Sequence, residues 1–224
     1  MSAVPAPSTV VVDVDGTLYF QPRLRRAMAA TIIRQVLRHP TCCRELLAVA
    51  LFRRMREHAT GTAPEPLYDR VARRLRLSPQ AVAHAVAAWM DQRPGQLLGH
   101  CRDAWLADRL AAFRAAGGQV VAWSDYPARA KLATLNVRVD ACVDPDDARL
   151  TELKPSPQGL ELAIEMSNGS PRSTVVIGDR DTRDGAAARR MGVQSIIVAR
   201  HPRARRRQHR TIAELLGGAA SAGW

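Results

Sequence analysis

The sequence predicts an α/β fold in which helices flank a parallel sheet, and two observations support this prediction. First, short apolar runs rich in β-branched residues recur at residues 9–14, 119–123, 174–177 and 195–198. Second, helix-like stretches precede the last three runs, at residues 105–116, 157–166 and 185–191. Strands that alternate with helices are typical of a parallel sheet covered on both faces. Ligands of such sheets bind beyond the carboxyl ends of the strands.

A helical insert is predicted between the first strand and the helix that begins near residue 101. These roughly eighty residues contain no convincing strand, and apolar residues recur there at helical spacing, first at Leu24, Met28, Ile32 and Val36. Residues 43–51 and 79–90 follow the same pattern, and residues 60–66, with one Gly and two Pro, predict a loop. The predicted division is therefore a core of residues 1–18 and 101–224 and a helical insert of residues 19–100.

The composition is that of a globular protein. The chain has 224 residues, 46% of them hydrophobic and 24% charged, so one domain, or one domain with an insert, is expected. Its longest apolar run, residues 46–52, is far shorter than the ~20 residues of a membrane-spanning helix. Residues 1–8 lack the basic and apolar stretches of a signal peptide, so we expect a cytoplasmic protein.

The net charge of +12 would ordinarily suggest a polyanionic partner such as nucleic acid or an anionic membrane. However, 31 of the 33 basic residues are Arg, spread along an Ala-rich chain, which indicates a composition bias rather than a patch. We therefore expect no nucleic-acid partner. Residues 203–210, with five arginines, leave open a basic binding module, and the alternative is a solvated loop before a helix capped by Thr211.

Two carboxylates follow the first predicted strand. Asp13 and Asp15 lie two residues apart in Asp-Val-Asp-Gly-Thr, so both project toward the same side at the strand end. One could serve as a nucleophile and the other as a general acid and base, which splits a difficult transfer into two steps. Taken alone, the pattern also fits an ordinary Asp-Gly turn.

Polar residues also follow the second predicted strand. Ser124 and Asp125 come directly after residues 119–123, and a hydroxyl with neighbouring backbone N–H groups could hold the oxygens of an anion. Farther along, Pro155 favours an extended conformation for Lys154, from which the ammonium group can reach a charge. Taken singly, Ser124 fits a turn and Lys154 a solvated surface residue.

Three carboxylates follow the predicted strand at residues 174–177, namely Asp179, Asp181 and Asp184 in Gly-Asp-Arg-Asp-Thr-Arg-Asp-Gly. Oxygen ligands without Cys or His favour a hard cation such as Mg²⁺. The alternative is a solvated acidic loop in which Asp181 pairs with a neighbouring arginine.

Together and in this order, the four pieces resemble the motifs of the haloacid dehalogenase superfamily. Those motifs are Asp-x-Asp-Gly-Thr, a strand-end Ser or Thr, a Lys, and Gly-Asp with a later Asp. The resemblance covers residues 9–17 and 101–216. It implies a Rossmann-like parallel sheet flanked by helices, with an α-helical cap subdomain inserted after the first motif.

The resemblance also implies a role for each motif residue. Asp13 would be the nucleophile that forms an aspartyl phosphate, and Asp15 would protonate the leaving oxygen and then activate water. Ser124 and Lys154 would bind the phosphoryl oxygens. The implied substrate-binding set is Gly16, Thr17, Ser124, Asp125 and Lys154.

By the same resemblance, Mg²⁺ would be held by the Asp13 carboxylate, the backbone carbonyl of Asp15, and Asp179, with Asp184 orienting a metal-bound water. Four residues separate Asp179 from Asp184, where many members of the superfamily have three, so either Asp181 or Asp184 could serve the metal. We favour Asp184, because a helix then begins at the next residue and places its carboxylate at a fixed position.

The function implied by the resemblance is a Mg²⁺-dependent phosphatase acting on a small phosphorylated metabolite. The dehalogenase branch lacks an acid at the position of Asp15, and the phosphonate-cleaving branch needs a cap lysine that residues 19–100 do not contain. Both branches are therefore disfavoured. A phosphomutase that uses the same Asp13 and Asp15 stays open. A phosphatase of a lipid-linked phosphate, with peripheral contact to an anionic membrane, also stays open because arginines surround the apolar stripes of the insert.

Overall fold

The computed structural model describes residues 6–58 and 65–217 and divides into two compact units. The first unit comprises Met1–Gln21 with Arg102–Trp224, and the second comprises Pro22–Cys101. The first junction lies three residues, and the second one residue, beyond the predicted positions. The shift has a physical reason, because Tyr19 is buried and forms an isolated antiparallel bridge with Arg102.

Five parallel strands form the sheet of the first unit. They are β1 (Thr9–Val12), β2 (Gln119–Trp123), β3 (Ala141–Val143), β4 (Thr174–Gly178) and β5 (Gln194–Ile197), in the spatial order β3-β2-β1-β4-β5. The predicted α/β class is confirmed, whereas β3 was not predicted. With only three residues, β3 is too short to give a periodic signal.

The register of the sheet brings the polar strand ends to one edge. Val12 of the central strand β1 is level with Ala122 of β2 and Ile177 of β4. The residues that follow these three positions therefore emerge side by side. Asp13 continues the pairing, since its backbone N–H donates to the Ile177 carbonyl over 2.8 Å.

The second unit is helical within its described residues. It contains most of α1 (Gln21–Arg38) and all of α2 (Cys43–Arg56), α3 (Glu65–Leu75), α4 (Pro79–Val86) and α5 (Arg93–Leu98), with a π-helical segment at Ala87–Gln92. Its core includes Phe52, Val71, Val82 and Trp89. Residues 60–64 of the predicted loop lie outside the described residues. The loop prediction was wrong for residues 65 and 66, which begin α3, a position where proline is tolerated.

Helices of the first unit cover the sheet. They are α6 (Ala104–Ala115), α7 (Arg129–Thr134), α8 (Gln158–Met166), α9 (Ala186–Arg190) and α10 (Pro202–Leu215). The arginine run of residues 203–210 lies within α10, so the predicted loop before a helix capped by Thr211 was wrong. Instead, the His201 side chain accepts from the Arg203 N–H, and Pro202 occupies the first turn. No described helix is long and apolar enough to cross a membrane.

Candidate active site

Lys154 lies at the centre of a buried group of charges at the carboxyl edge of the sheet. Its Nζ donates to Asp13 Oδ1 over 2.7 Å and to the Trp123 carbonyl over 2.9 Å, and it forms an ion pair with Asp184 Oδ1 at 2.7 Å. Burial alone would lower the pKa of Lys154. The carboxylates of Asp13 and Asp184 outweigh that effect and hold the pKa above its ordinary value, so Lys154 stays charged.

Asp13 is the carboxylate nearest the end of β1. Thr17 Oγ1 donates to its Oδ2 over 2.9 Å, while Lys154 binds the other oxygen. Burial is the largest influence on the pKa of Asp13 and raises it. Lys154 opposes this effect and Asp184 adds to it, and the pKa lies above the ordinary carboxyl range.

Asp13, Asp179 and Asp184 form a buried cluster of carboxylates. One oxygen from each lies within 4.8 Å of the others. Asp179 Oδ2 is buried and accepts no hydrogen bond from the described residues. Burial, and then the charge of Asp184, raises the pKa of Asp179 above its usual value. Among the described residues, the only ion pair of Asp179 Oδ2 is long, with Arg200 Nε 3.6 Å away. Three clustered carboxylates, one with a buried oxygen that has no hydrogen-bond donor in the described chain, fit a hard divalent cation.

The extra residue of the last motif is absorbed by a π-helical turn, Asp181–Gly185. The Gly185 N–H donates to the Arg180 carbonyl, a five-residue spacing that accommodates one residue more than an α-turn. This turn directs Asp184 into the carboxylate cluster. Asp181 instead lies at the surface, where its side chain is 63% exposed and pairs with Arg189 at 2.6 Å.

Two glycines allow the acidic residues to approach the backbone closely. A Cβ on Gly178 would lie 2.4 Å from the Asp184 carboxyl carbon, so a side chain there would displace that carboxylate. Gly16 has a φ of +99°, and a Cβ there would lie 2.5 Å from Asp179 Oδ2. Both positions favour glycine for this reason.

Asp15 lies in a different charge environment from Asp13. Lys131 Nζ is 2.8 Å from each of its carboxylate oxygens, and the Tyr19 hydroxyl donates to Oδ1 over 2.7 Å. Burial would raise the pKa of Asp15, but Lys131 and then Tyr19 outweigh burial and lower it. The pKa values of the two carboxylates of the first motif, Asp13 and Asp15, are thus shifted in opposite directions. Such separation is typical of sites that assign different roles to two acids.

Ser124 and Asp125 follow β2, as predicted from the sequence. Ser124 is buried, and its Oγ accepts from the Tyr126 N–H and lies 3.5 Å from Asp15 Oδ2. Both oxygens of Asp125 bind protein groups, the Lys154 backbone N–H at 3.0 Å and the Arg183 guanidinium at 2.5 Å. Asp125 therefore braces the loop that carries Lys154.

Residues 7–192 match the haloacid dehalogenase-like hydrolase family, and this match covers most of the chain. The protein belongs to that family. No curated protein sequence matches this hydrolase. Its fold is similar to that of many solved proteins, among them three that are each less than 25% identical to it.

A 2-haloacid dehalogenase from Pseudomonas syringae pv. Tomato is 17% identical, with a TM-score of 0.58 and 86% of each chain covered. A HAD phosphatase from Thermococcus onnurineus is 18% identical, with a TM-score of 0.54, covering 94% of this chain and 98% of that one. CbbY from Rhodobacter sphaeroides, solved with phosphate, is 23% identical, with a TM-score of 0.55 and 86% of each chain covered.

A buried arginine of this hydrolase, Arg205 on α10, supports the turn that follows Asp15. Its guanidinium donates to the carbonyls of Gly16 over 2.6 Å and Thr17 over 2.8 Å, and to Asp103 Oδ2 over 3.0 Å. The sequence does not single out Arg205 as a site residue, because both interpretations of residues 203–210, a binding module and a solvated loop, place the arginines of the run at the surface. Lys131 was also missed, although it is one of only two lysines in the chain.

Proposed function

We propose that this hydrolase is a Mg²⁺-dependent phosphatase that cleaves a small phosphate monoester through an aspartyl phosphate on Asp13. One observation carries the proposal, namely that the two carboxylates of the first motif are each paired with a different lysine. Lys154 lies against Asp13, and Lys131 lies against Asp15. The chain thus offers both a nucleophile and a separate proton carrier.

In the first step, the Asp13 carboxylate attacks the phosphorus, and the bond from phosphorus to the alcohol oxygen breaks. The departing oxygen takes a proton from the protonated form of Asp15. Lys154, already 2.7 Å from Asp13, offsets the repulsion between the carboxylate and the phosphate. The Ser124 hydroxyl donates to a phosphoryl oxygen.

In the second step, a water attacks the phosphorus of the aspartyl phosphate and gives its proton to the Asp15 carboxylate. The bond from phosphorus to the Asp13 oxygen breaks, and inorganic phosphate leaves. Lys131 and Tyr19 hold Asp15 in the carboxylate form that this step needs. The protonated form needed in the first step is therefore the minor one.

Asp13, Asp179 and Asp184, with the backbone carbonyl of Asp15, would hold Mg²⁺. Bound there, the ion would neutralise the carboxylates and the charge of the phosphate. Asp179 Oδ2 supports this assignment, because it is buried without a hydrogen-bond donor among the described residues and its ion pair with Arg200 is long, at 3.6 Å. A cation bound there would therefore lower the cost of burying the carboxylate.

Hydrolysis of an aryl phosphate tests the proposal directly. We expect activity with Mg²⁺, none with EDTA, and a loss of at least about a thousandfold in Asp13→Asn. Asp181→Asn is the matched control, since it makes the same chemical change at an exposed carboxylate outside the cluster. Equal activity in Asp13→Asn and the wild type would contradict the proposal.

A phosphomutase would use the same two carboxylates but return the phosphoryl group to its substrate. The two reactions differ in their products. We expect one inorganic phosphate released for each ester consumed, measured by a phosphate-detection assay. Formation of an isomerised ester without release of phosphate would indicate that the protein is a phosphomutase and not a phosphatase.

A further inference from the structure

The net charge of the chain is concentrated in the second unit. Residues 22–101 contain 14 arginines and 5 acidic residues, a net charge of +9, whereas the rest of the chain has 19 basic and 16 acidic residues, a net charge of +3. The arginines are spread along the whole sequence, but the acidic residues are not. The uneven distribution makes the second unit a strongly cationic body.

Helix α1 is the most basic element of this unit. Its 18 residues include five arginines and no acidic residue. Met28, Ile32 and Val36 pack against the core of the second unit and define the inner side of the helix. Residue 45 is the first acidic position after the helix begins, so this stretch of the sequence is strongly cationic.

The outer face of α1 combines aliphatic and cationic side chains. Ile33 is 61% exposed and Leu37 is 79% exposed, and they lie one turn apart. Arg34 and Arg38 are also exposed and form a parallel row beside them. Among the described residues, neither arginine forms an ion pair with a carboxylate. We call these four residues the α1 outer face.

A third exposed aliphatic residue belongs to the same unit. Leu47, on the second turn of α2, is 56% exposed. Ile33, Leu37 and Leu47 are the large hydrophobic residues exposed in the described chain, and all three lie on α1 or α2. Arg44, one turn before Leu47, is exposed as well.

We propose that the α1 outer face docks the second unit onto the surface of an anionic phospholipid bilayer. Arginines match the phosphate headgroups, and the aliphatic row enters the boundary between headgroups and acyl chains. The phosphates of a nucleic acid could also pair with the arginines, but a nucleic acid offers no apolar phase for Ile33 and Leu37. The helix would lie in the plane of the surface, and the docking is independent of the proposed catalytic reaction.

Vesicle co-sedimentation of the full chain tests this proposal. We expect binding to phosphatidylcholine vesicles that contain phosphatidylglycerol, weakening steeply with added salt, and little binding to pure phosphatidylcholine. Ile33→Ser/Leu37→Ser and Arg34→Gln/Arg38→Gln should each lower the apparent affinity about tenfold or more. The matched control is Arg207→Gln/Arg210→Gln, which removes the same charge from exposed positions of α10 and should have little effect.

Three results would overturn the proposal. Absence of binding to the anionic vesicles is the first, and an equal loss in the α10 control, which would indicate a diffuse charge effect, is the second. The third is a combination of two observations. Ile33→Ser/Leu37→Ser binds vesicles as the wild type does, and Arg34→Gln/Arg38→Gln loses affinity for vesicles and for a DNA oligonucleotide to the same extent. That combination would indicate a surface that binds any polyanion. Thermal unfolding of each variant, unchanged from the wild type, establishes that the lost binding is not lost folding.

Discussion

The Lys131 ammonium group lies 2.8 Å from both carboxylate oxygens of Asp15, 116 residues away in the sequence. The pair is partly buried, so solvent screens it less than a surface ion pair. Lys131 therefore stabilises the carboxylate form of Asp15 and limits the supply of the acid that the proposed first step requires.

Lys131→Met is expected to shift the pH dependence of hydrolysis. Removing the ammonium group raises the pKa of Asp15, so Asp15 stays protonated to higher pH. The limb of the pH–rate profile that reports deprotonation of Asp15 should move to higher pH. The effect should be clearest for an alkyl phosphate, because its leaving oxygen needs the proton of Asp15. Lys131→Arg keeps the charge and should keep the wild-type profile. Identical profiles for Lys131→Met and wild type would contradict this role.

Metal binding should depend on pH through the carboxylate cluster. Folding raises the pKa of Asp13 and Asp179, so the folded metal-free chain retains protons that the unfolded chain releases. Without metal, stability should therefore fall as pH rises above the ordinary carboxyl range. Mg²⁺ binds the deprotonated form, so its stabilising effect should grow with pH and reach about 2.7 kcal/mol at a hundred times its dissociation constant.

Thermal unfolding with and without Mg²⁺ measures this effect. Asp179→Asn should abolish the shift caused by Mg²⁺ and should raise the stability of the metal-free chain, because it removes a carboxylate that is buried beside the like charge of Asp184. Asp181→Asn, at the surface, should respond like the wild type. A Mg²⁺ shift of equal size in Asp179→Asn would exclude Asp179 from the metal site.

Gly178→Ala should disturb the cluster sterically. The new methyl group would lie 2.4 Å from the Asp184 carboxyl carbon, too close for any ordinary contact. We expect a loss of about 1–3 kcal/mol in the free energy of unfolding, together with weaker Mg²⁺ binding. Gly95→Ala, in α5 with no neighbouring atom within 4 Å, is the control and should be neutral or slightly stabilising. Unfolding in denaturant measures both variants, and equal stabilities would rule out the steric argument.

The sequence was most informative where a functional residue directly follows a strand. Asp13, Ser124 and Asp179 could be located in this way, because parallel strands bring their carboxyl ends to one edge. The partners of Asp15 could not be located. Lys131 lies on a short helix, and its contact with Asp15 depends on how α7 packs in three dimensions. The three-residue strand β3 and the π-helical turn before α9 likewise leave no periodic signal.

Charge patterns were equally difficult to interpret from the sequence alone. A dense arginine run, residues 203–210, is typical of a solvated segment, yet one helical face of that run is buried. Arg205 and His209 lie one turn apart on this face, and both contact Asp103. Which arginine of a run is buried depends on the phase of the helix, and that phase follows from the start of α10 at Pro202.

Arg205→Met should reduce both stability and catalysis. The variant leaves the carbonyls of Gly16 and Thr17 without their donor and removes the guanidinium partner of the buried Asp103 carboxylate. Breaking a buried ion pair in this way costs about 3–5 kcal/mol. Because the two carbonyls belong to the turn that follows Asp15, we also expect kcat to fall further than the folded fraction alone explains.

Arg207→Met on the exposed side of α10 is the matched control and should keep both stability and kcat. Arg205→Lys separates positioning from folding. A lysine restores the charge beside Asp103. It lacks the planar guanidinium of arginine, so it cannot bind both carbonyls and the carboxylate at once. It should therefore recover much of the lost stability, measured in denaturant, while kcat on an aryl phosphate stays low. Full recovery of kcat in Arg205→Lys would show that Arg205 acts through its charge at Asp103, not through the turn after Asp15.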